Sequence, residues 1–170
     1  GIPKSEVKEY GVPCVRYGEL YTQHDRVIRA FNSCITEEES KNSVKLRKND
    51  VLFASSGETI SEIGKSAAFI DERDVYAGSD IIIFRPNKMD GVYLGYLMNS
   101  TLVRQQLNKM GTGATVMHIY GSDIGKLRIP MIDESEQKEI GEYLESIYRA
   151  CERAKFQEKT NMRLLKGIIN

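Results

Sequence analysis

The segment from about Ser135 to Asn170 constrains this chain more than any other. It contains no proline and only two glycines. Ile140, Leu144, Ile147, Cys151 and Ala154 recur at spacings of four, three, four and three, the seam of a coiled coil. The pattern then shifts phase to Met162, Leu165 and Ile169, a stutter in the repeat. Acidic and basic residues interleave on the outer face and nearly cancel. A helix of about 35 residues is about 50 Å long and outreaches a small domain. Its seam needs cover, either by packing back on residues 1–131 or from another helix. The length favours another helix, with Ile140, Leu144, Ile147, Cys151 and Leu165 at the interface.

The preceding residues have a different texture. With 170 residues and 41% apolar content, the chain can build one cored domain plus an appendage. Residues 12–16, 51–54, 67–70 and 81–84 are apolar runs that read as strands. The β-branched run 81–84 is expected in the middle of a sheet, closed by Arg85-Pro86-Asn87. Thr36 with Glu39 fits a capping box. Asp90 is placed to cap a helix at 92–98 whose apolar face is Val92, Tyr93, Tyr96 and Leu97. Ser100 is placed to cap 101–110, with Leu102, Val103, Gln106 and Leu107 at helical spacing. Gly111-Thr112-Gly113 stops that helix, and strands are expected at 115–120 and 127–129. The expected fold is therefore α+β: a mixed-sheet domain over residues 1–131, then a long coiled-coil-forming helix over 132–170.

Most catalytic chemistries fail on residue type or spacing. Cys14, Cys34 and Cys151 are odd in number and scattered, which fits reduced thiols in a cytoplasmic protein and neither a disulfide framework nor a zinc site. Gly57 to Ser66 imitates a phosphate loop, but six residues rather than four separate the first glycine from Gly64-Lys65-Ser66, and a strand-like run follows. Asp133, Glu136 and Lys138 suggest a metal-dependent nuclease, yet they open the long helix, where carboxylates suit the dipole. His24 and His118 have no evident nucleophile, and the sequence carries no Asn/Asp-Pro-Pro-aromatic motif of an adenine methyltransferase. No metal or cofactor is expected. No run of about 18 apolar residues suggests a membrane span.

A binding surface is what remains. Lys plus Arg is 24 and Asp plus Glu is 24. Net neutrality excludes a uniformly basic nucleic-acid binder, but not a local groove. Residues 100–131 carry Arg104, Lys109, Lys126 and Arg128 against one acid, Asp123. Arg16, Tyr17 and Thr22 follow the first strand. Ser55, Ser56 and Thr59 follow the second, with Lys65 beyond, and Thr112 and Thr115 lie in a glycine loop. Cations, hydroxyls and loop amides of this kind hold phosphates and read base edges. They are equally the inventory of an ordinary solvated loop.

Four stretches in order tilt this balance. They are Pro13-Cys14-Val15-Arg16-Tyr17-Gly18-Glu19-Leu20-Tyr21-Thr22, then Asn49-Asp50-Val51-Leu52-Phe53-Ala54-Ser55-Ser56-Gly57-Glu58-Thr59. Next comes Gly111-Thr112-Gly113-Ala114-Thr115 with Asp123-Ile124 and Leu127-Arg128-Ile129-Pro130. The last is Glu136-Gln137 with Leu164-Leu165-Lys166-Gly167-Ile168-Ile169. Together they resemble the DNA specificity subunit of type I restriction–modification enzymes. The family more often has Gly where Asn49 stands, and its usual Trp-containing opening segment is absent.

That resemblance implies a target recognition domain followed by a conserved spacer helix. A full subunit carries two such units with their helices antiparallel, each domain reading half of a split double-stranded DNA site. Modification (methyltransferase) subunits clamp the assembly, and restriction subunits join it. The reader itself would be non-catalytic. This sequence matches one unit, as either a fragment or a half-subunit that pairs with a second copy through the helix. Arg16, Lys65, Arg104 and Lys109 are then candidates for phosphate or base contacts. Tyr17, Thr22, Ser55, Ser56, Thr59, Thr112 and Thr115 are candidates for polar readout or positioning. Residues shared across members cannot set differing specificities, so Arg16 and the 111–115 loop alternatively hold backbone or fold, with specificity in 23–48 or 60–79.

Overall fold

The computed structural model describes residues 10–59, 62–113 and 116–169. In chain order its elements are β1 (Val12–Val15), α1 (Glu19–Thr22), β2 (Arg26–Ile28), β3 (Ser33–Ile35), α2 (Glu37–Ser40), β4 (Val44–Lys45), β5 (Val51–Ala54), β6 (Ser56–Gly57) and β7 (Ser66–Phe69). There follow β8 (Tyr76–Ala77), β9 (Ile81–Phe84), α3 (Gly91–Met98), α4 (Thr101–Met110), β10 (Met117–His118), α5 (Gly121–Ile124) and α6 (Glu134–Ile169). The α+β class and the long terminal helix agree with the sequence.

The strands form a sheet of order β3-β1-β8-β4, a second of order β2-β7-β5-β9, and a ribbon of β10 with β6. β2 runs parallel to β7, while β5 is antiparallel to both β7 and β9. Side chains alternate along a strand, and here the alternation divides two cores. Val51, Phe53 and Ala68 join Leu94, Met98, Val103 and Leu107 on the helical side. Leu52, Ala54, Ala67 and Phe69 join Val15, Leu20, Leu46 and Ala77 on the side of the other sheet. The second sheet is thus a middle layer, and β5 and β7 are buried at every position.

Four local expectations need correction. β9 lies at a sheet edge, not in the middle. It is apolar because Ile82 and Phe84 meet one core while Ile81 and Ile83 meet the other; two covered faces do not require two strand neighbours. Residues 127–129 are not a strand. The amide of Gln106 occupies both backbone groups of Arg128, donating to its carbonyl at 2.9 Å and accepting from its N–H at 2.9 Å. The expected strand at 115–120 shrinks to β10 among the described residues. Leu102 is 51% exposed, so α4 buries Val103 and Leu107 without it.

Capping follows the expected chemistry. Thr36 and Glu39 form a complete capping box. Asp90 accepts from the Tyr93 N–H, and Ser100 from the Val103 N–H. α3 buries Tyr93, Leu94, Gly95 and Met98, whereas Val92 and Tyr96 are half-buried beside α6. Gly95 permits the closest approach: a Cβ there would lie 2.2 Å from the Arg26 carbonyl oxygen on β2. Among the described residues no helix is long and apolar enough to cross a membrane.

Candidate nucleic-acid interface

One end of the domain gathers residues that are far apart in sequence. Tyr17, just before α1, and Tyr21, within it, stand edge to face with ring centroids 5.4 Å apart. Both hydroxyls donate to the Ser56 carbonyl, Tyr17 at 2.7 Å. Ser56 Oγ donates back to the Tyr17 oxygen at 3.0 Å. Ser55 Oγ donates to the Asp80 carbonyl at 2.9 Å. The β6 backbone pairs with β10, and Thr112 exchanges backbone bonds with His118 at 3.1 and 2.7 Å. Lys65 Nζ donates to the Tyr21 carbonyl at 3.1 Å. Arg104 is half-buried nearby, with Nη2 3.5 Å from Asn108 Oδ1.

Electrostatics follow from this burial. Desolvation pushes the Tyr21 phenol up, so it remains a neutral donor across the physiological range. Burial pulls the Arg104 guanidinium below its usual value. At the start of α1, buried Glu19 accepts from the Arg16 N–H at 3.0 Å and from the Ser33 hydroxyl, with His24 Nε2 3.9 Å away. Burial alone would raise the Glu19 carboxyl, but the neighbouring His24 imidazole and the Ser33 and Arg16 hydrogen bonds outweigh it and hold the group low. Glu19 is therefore a fold residue that secures the turn carrying Tyr17.

The structure brings together Tyr17, Ser55, Ser56, Lys65, Arg104 and Thr112. Lys65 and Arg104 lie partly buried against the tyrosine pair. Thr22, Thr59, Lys109 and Thr112 are exposed. Thr22 Oγ1 donates back to the Gly18 carbonyl at 2.9 Å, and Thr59 Oγ1 donates to Glu62 at 3.0 Å. Arg16 is half-buried, and among the described residues its Nε has no hydrogen-bond partner. Thr115 lies outside the described residues. Gly64-Lys65-Ser66 runs into strand β7 rather than a helix, as the spacing argument required. Asp133 and Glu136 are exposed, and among the described residues no three His, Cys, Asp or Glu side chains converge as a metal site would need.

Sequence reasoning missed Val116, His118 and Tyr120 as surface residues of this end. All three are exposed, Tyr120 by 60%, while Met117 is half-buried and Ile119 is buried between them. The signal was the period-two alternation through 116–120. It was read as a strand, but not for the face it presents.

The long helix leaves from another side. Gln137, 1% exposed, accepts from the Asp90 N–H at 3.0 Å and donates to the Ile132 carbonyl at 2.8 Å. A Cβ on Gly141 would sit 3.1 Å from the Tyr93 nitrogen. Glu145 accepts from Arg29 at 2.9 and 2.6 Å, from the Tyr96 hydroxyl at 3.1 Å and from Arg149 at 3.3 Å. Burial would raise its carboxyl, but Arg29 more than compensates and holds it low. Arg29 also lies 3.7 Å over the Tyr148 ring. At about 100° per residue, Gln137, Gly141, Glu145 and Tyr148 form one face, and the heptad seam lies about a quarter turn away. The helix packs back on the domain along the first face, and the start of the seam joins that packing. Ile140 is half-buried against the core and Leu144 half-buried beside Tyr93 and Tyr96. Ile147, Cys151 and Leu165 are exposed.

Comparison with known proteins converges on one family. The type I restriction modification DNA specificity domain matches residues 2–161. The EcoKI specificity subunit of Escherichia coli K12 is 26% identical over 129 residues, 74% of this chain and 27% of that protein. The StySPI specificity subunit of Salmonella potsdam is 25% identical over 127 residues, again 74% and 27%. The chain thus spans about a quarter of the length of these curated relatives. A chain from a structural study of assembly and conformational transition of the type I R-M system shares the fold with TM-score 0.62 and 20% identity, over 97% of this chain and 39% of that one. The type I restriction–modification S subunit from M. genitalium aligns with TM-score 0.52 and 16% identity, over 90% and 36%. With that family model matched over nearly its whole length, the chain belongs to the type I restriction modification DNA specificity domain family.

Proposed function

We propose that this chain is the DNA-reading part of a type I restriction–modification specificity subunit. Residues 1–131 grip one half of a split double-stranded site, and 132–170 act as the spacer that pairs with a second helix. The helix belongs to a second copy or to a second half. Adenine methylation and cleavage fall to modification and restriction subunits, and this chain takes no catalytic part. The carrying observation is convergence. Segments around 16–22, 55–59, 62–65, 104–112 and 116–120 meet at one end and present Thr112, His118 and Tyr120 to solvent above a braced tyrosine pair, with Lys109 exposed on the helix that carries Arg104. Exposed cations and hydroxyls on a rigid base suit phosphate contact and groove reading.

The test is a salt titration of duplex binding by the chain together with its modification subunit. Log affinity should fall linearly with log salt, and Lys109→Ala should reduce the slope by about one. Absence of duplex binding at every salt concentration overturns the reading.

A further inference from the structure

We propose that Arg29 and Glu145 are positioning residues: they lock the long helix to the reading domain at one angle, and that angle sets the spacing of half-sites the assembly accepts. The inference rests on the DNA-reading proposal. It starts from the kind of attachment seen along α6. Gln137, Gly141, Glu145 and Tyr148 sit on successive turns, and each is tied to α3, to Arg29 or to both. Gln137 holds the N-terminus of α3, Gly141 crosses α3 closely, Glu145 binds β2-flanking Arg29 and Tyr96 of α3, and Tyr148 stacks on Arg29.

Arg29 is itself fixed from behind, donating through Nη1 to the Asp25 and Val27 carbonyls at 2.9 and 3.0 Å. A purely apolar helix contact permits small sliding motions. A bidentate, carbonyl-braced guanidinium on a carboxylate fixes direction as well as distance.

Lever length makes the angle matter. Residues 149–169 extend about 30 Å past the clamp. A tilt of roughly 10° at the clamp moves the tip by about 5 Å, more than the ~3.4 Å rise of one base pair. A loosened clamp therefore blurs spacing by at least one base pair while leaving the reading face, at another end of the domain, untouched.

Two measurements on the full chain test this. Nitroxides placed by Lys41→Cys and Lys159→Cys, with Cys34→Ser and Cys151→Ser and excess unlabelled protein, report the helix-to-domain distance by pulsed electron resonance. The clamp predicts one narrow distribution, broadened in Arg29→Ala and also in the isosteric Glu145→Gln, which preserves packing. A distribution that stays narrow in both variants overturns the clamp. The second measurement selects bound duplexes from a randomised pool, using the chain assembled with its modification subunit. The unsubstituted protein should enrich one spacing, and the variants the same half-sites at several spacings. A single unchanged spacing in variants with broadened distances overturns the positioning role and leaves DNA reading intact. If the unsubstituted protein enriches no sequence, DNA reading fails, and the spacing role with it.

Discussion

The first four turns of α6 and its last five to six are one continuous helix with opposite means of support. Up to Tyr148 the helix rests on the domain through buried Gln137, a glycine crossing and the Glu145 clamp. From Arg149 to Gly167 its side chains are exposed apart from half-buried Thr160, with Phe156 72%, Met162 53%, Leu164 63% and Leu165 54% accessible. Most helical stability in proteins comes from packing an amphipathic face, which this half does not do within the chain. The contrast teaches that the seam is divided: Ile140 and Leu144 pack on the domain beside the docking face, whereas Ile147, Cys151 and Leu165 stay exposed.

Substitutions should divide along that line. Leu94→Ala, beneath the docked half, removes a fully buried side chain and should cost about 2–5 kcal/mol, read by urea unfolding. Leu165→Ala on the free half should cost the isolated chain less than about 0.5 kcal/mol, yet weaken any self-association seen by sedimentation. Glu145→Ala leaves the Arg29 guanidinium without its carboxylate and should cost about 2 kcal/mol, below the figure for a fully buried pair because the Arg29 side chain is 27% exposed. Gln137→Ala orphans the Asp90 N–H and should cost about 1–3 kcal/mol.

Acid gives the smallest and sharpest test. The folded Glu145 carboxyl is held low. Its contribution is therefore present above its unfolded pKa and lost as pH falls below that and through the lower folded value. Pulsed electron resonance should show the helix loosening in that window, while Glu145→Gln shows no further change there.

What was legible in the sequence was local or periodic. Thr36, Asp90 and Ser100 announce their helices because a cap and the amide it binds lie three residues apart. Val51–Ala54 and Ile81–Phe84 announce strands because both faces are covered, but an apolar run reports its faces and not its neighbours, so the edge position of β9 was hidden. β2, β3, β4 and β8 are two or three residues long, too short to carry an alternating pattern. The Gln106 amide replaced a strand partner at Arg128, which no propensity encodes.

The site shows the same division. Residues with suitable chemistry could be named, but their meeting at Ser56 depends on turns folded from distant segments. The Arg29–Glu145 pair spans 116 positions and left no local trace.

The central claim is that the tyrosine-braced end is the surface that meets DNA. Photo-crosslinking of a bromouracil-substituted duplex to the chain assembled with its modification subunit, mapped by mass spectrometry, tests it directly. The account predicts crosslinks in peptides containing Tyr17 and Tyr21, Ser55 to Thr59, and Thr112 to Tyr120. Crosslinks confined to residues 149–169 of the helix, or to the outer strands β3 and β4, would contradict it.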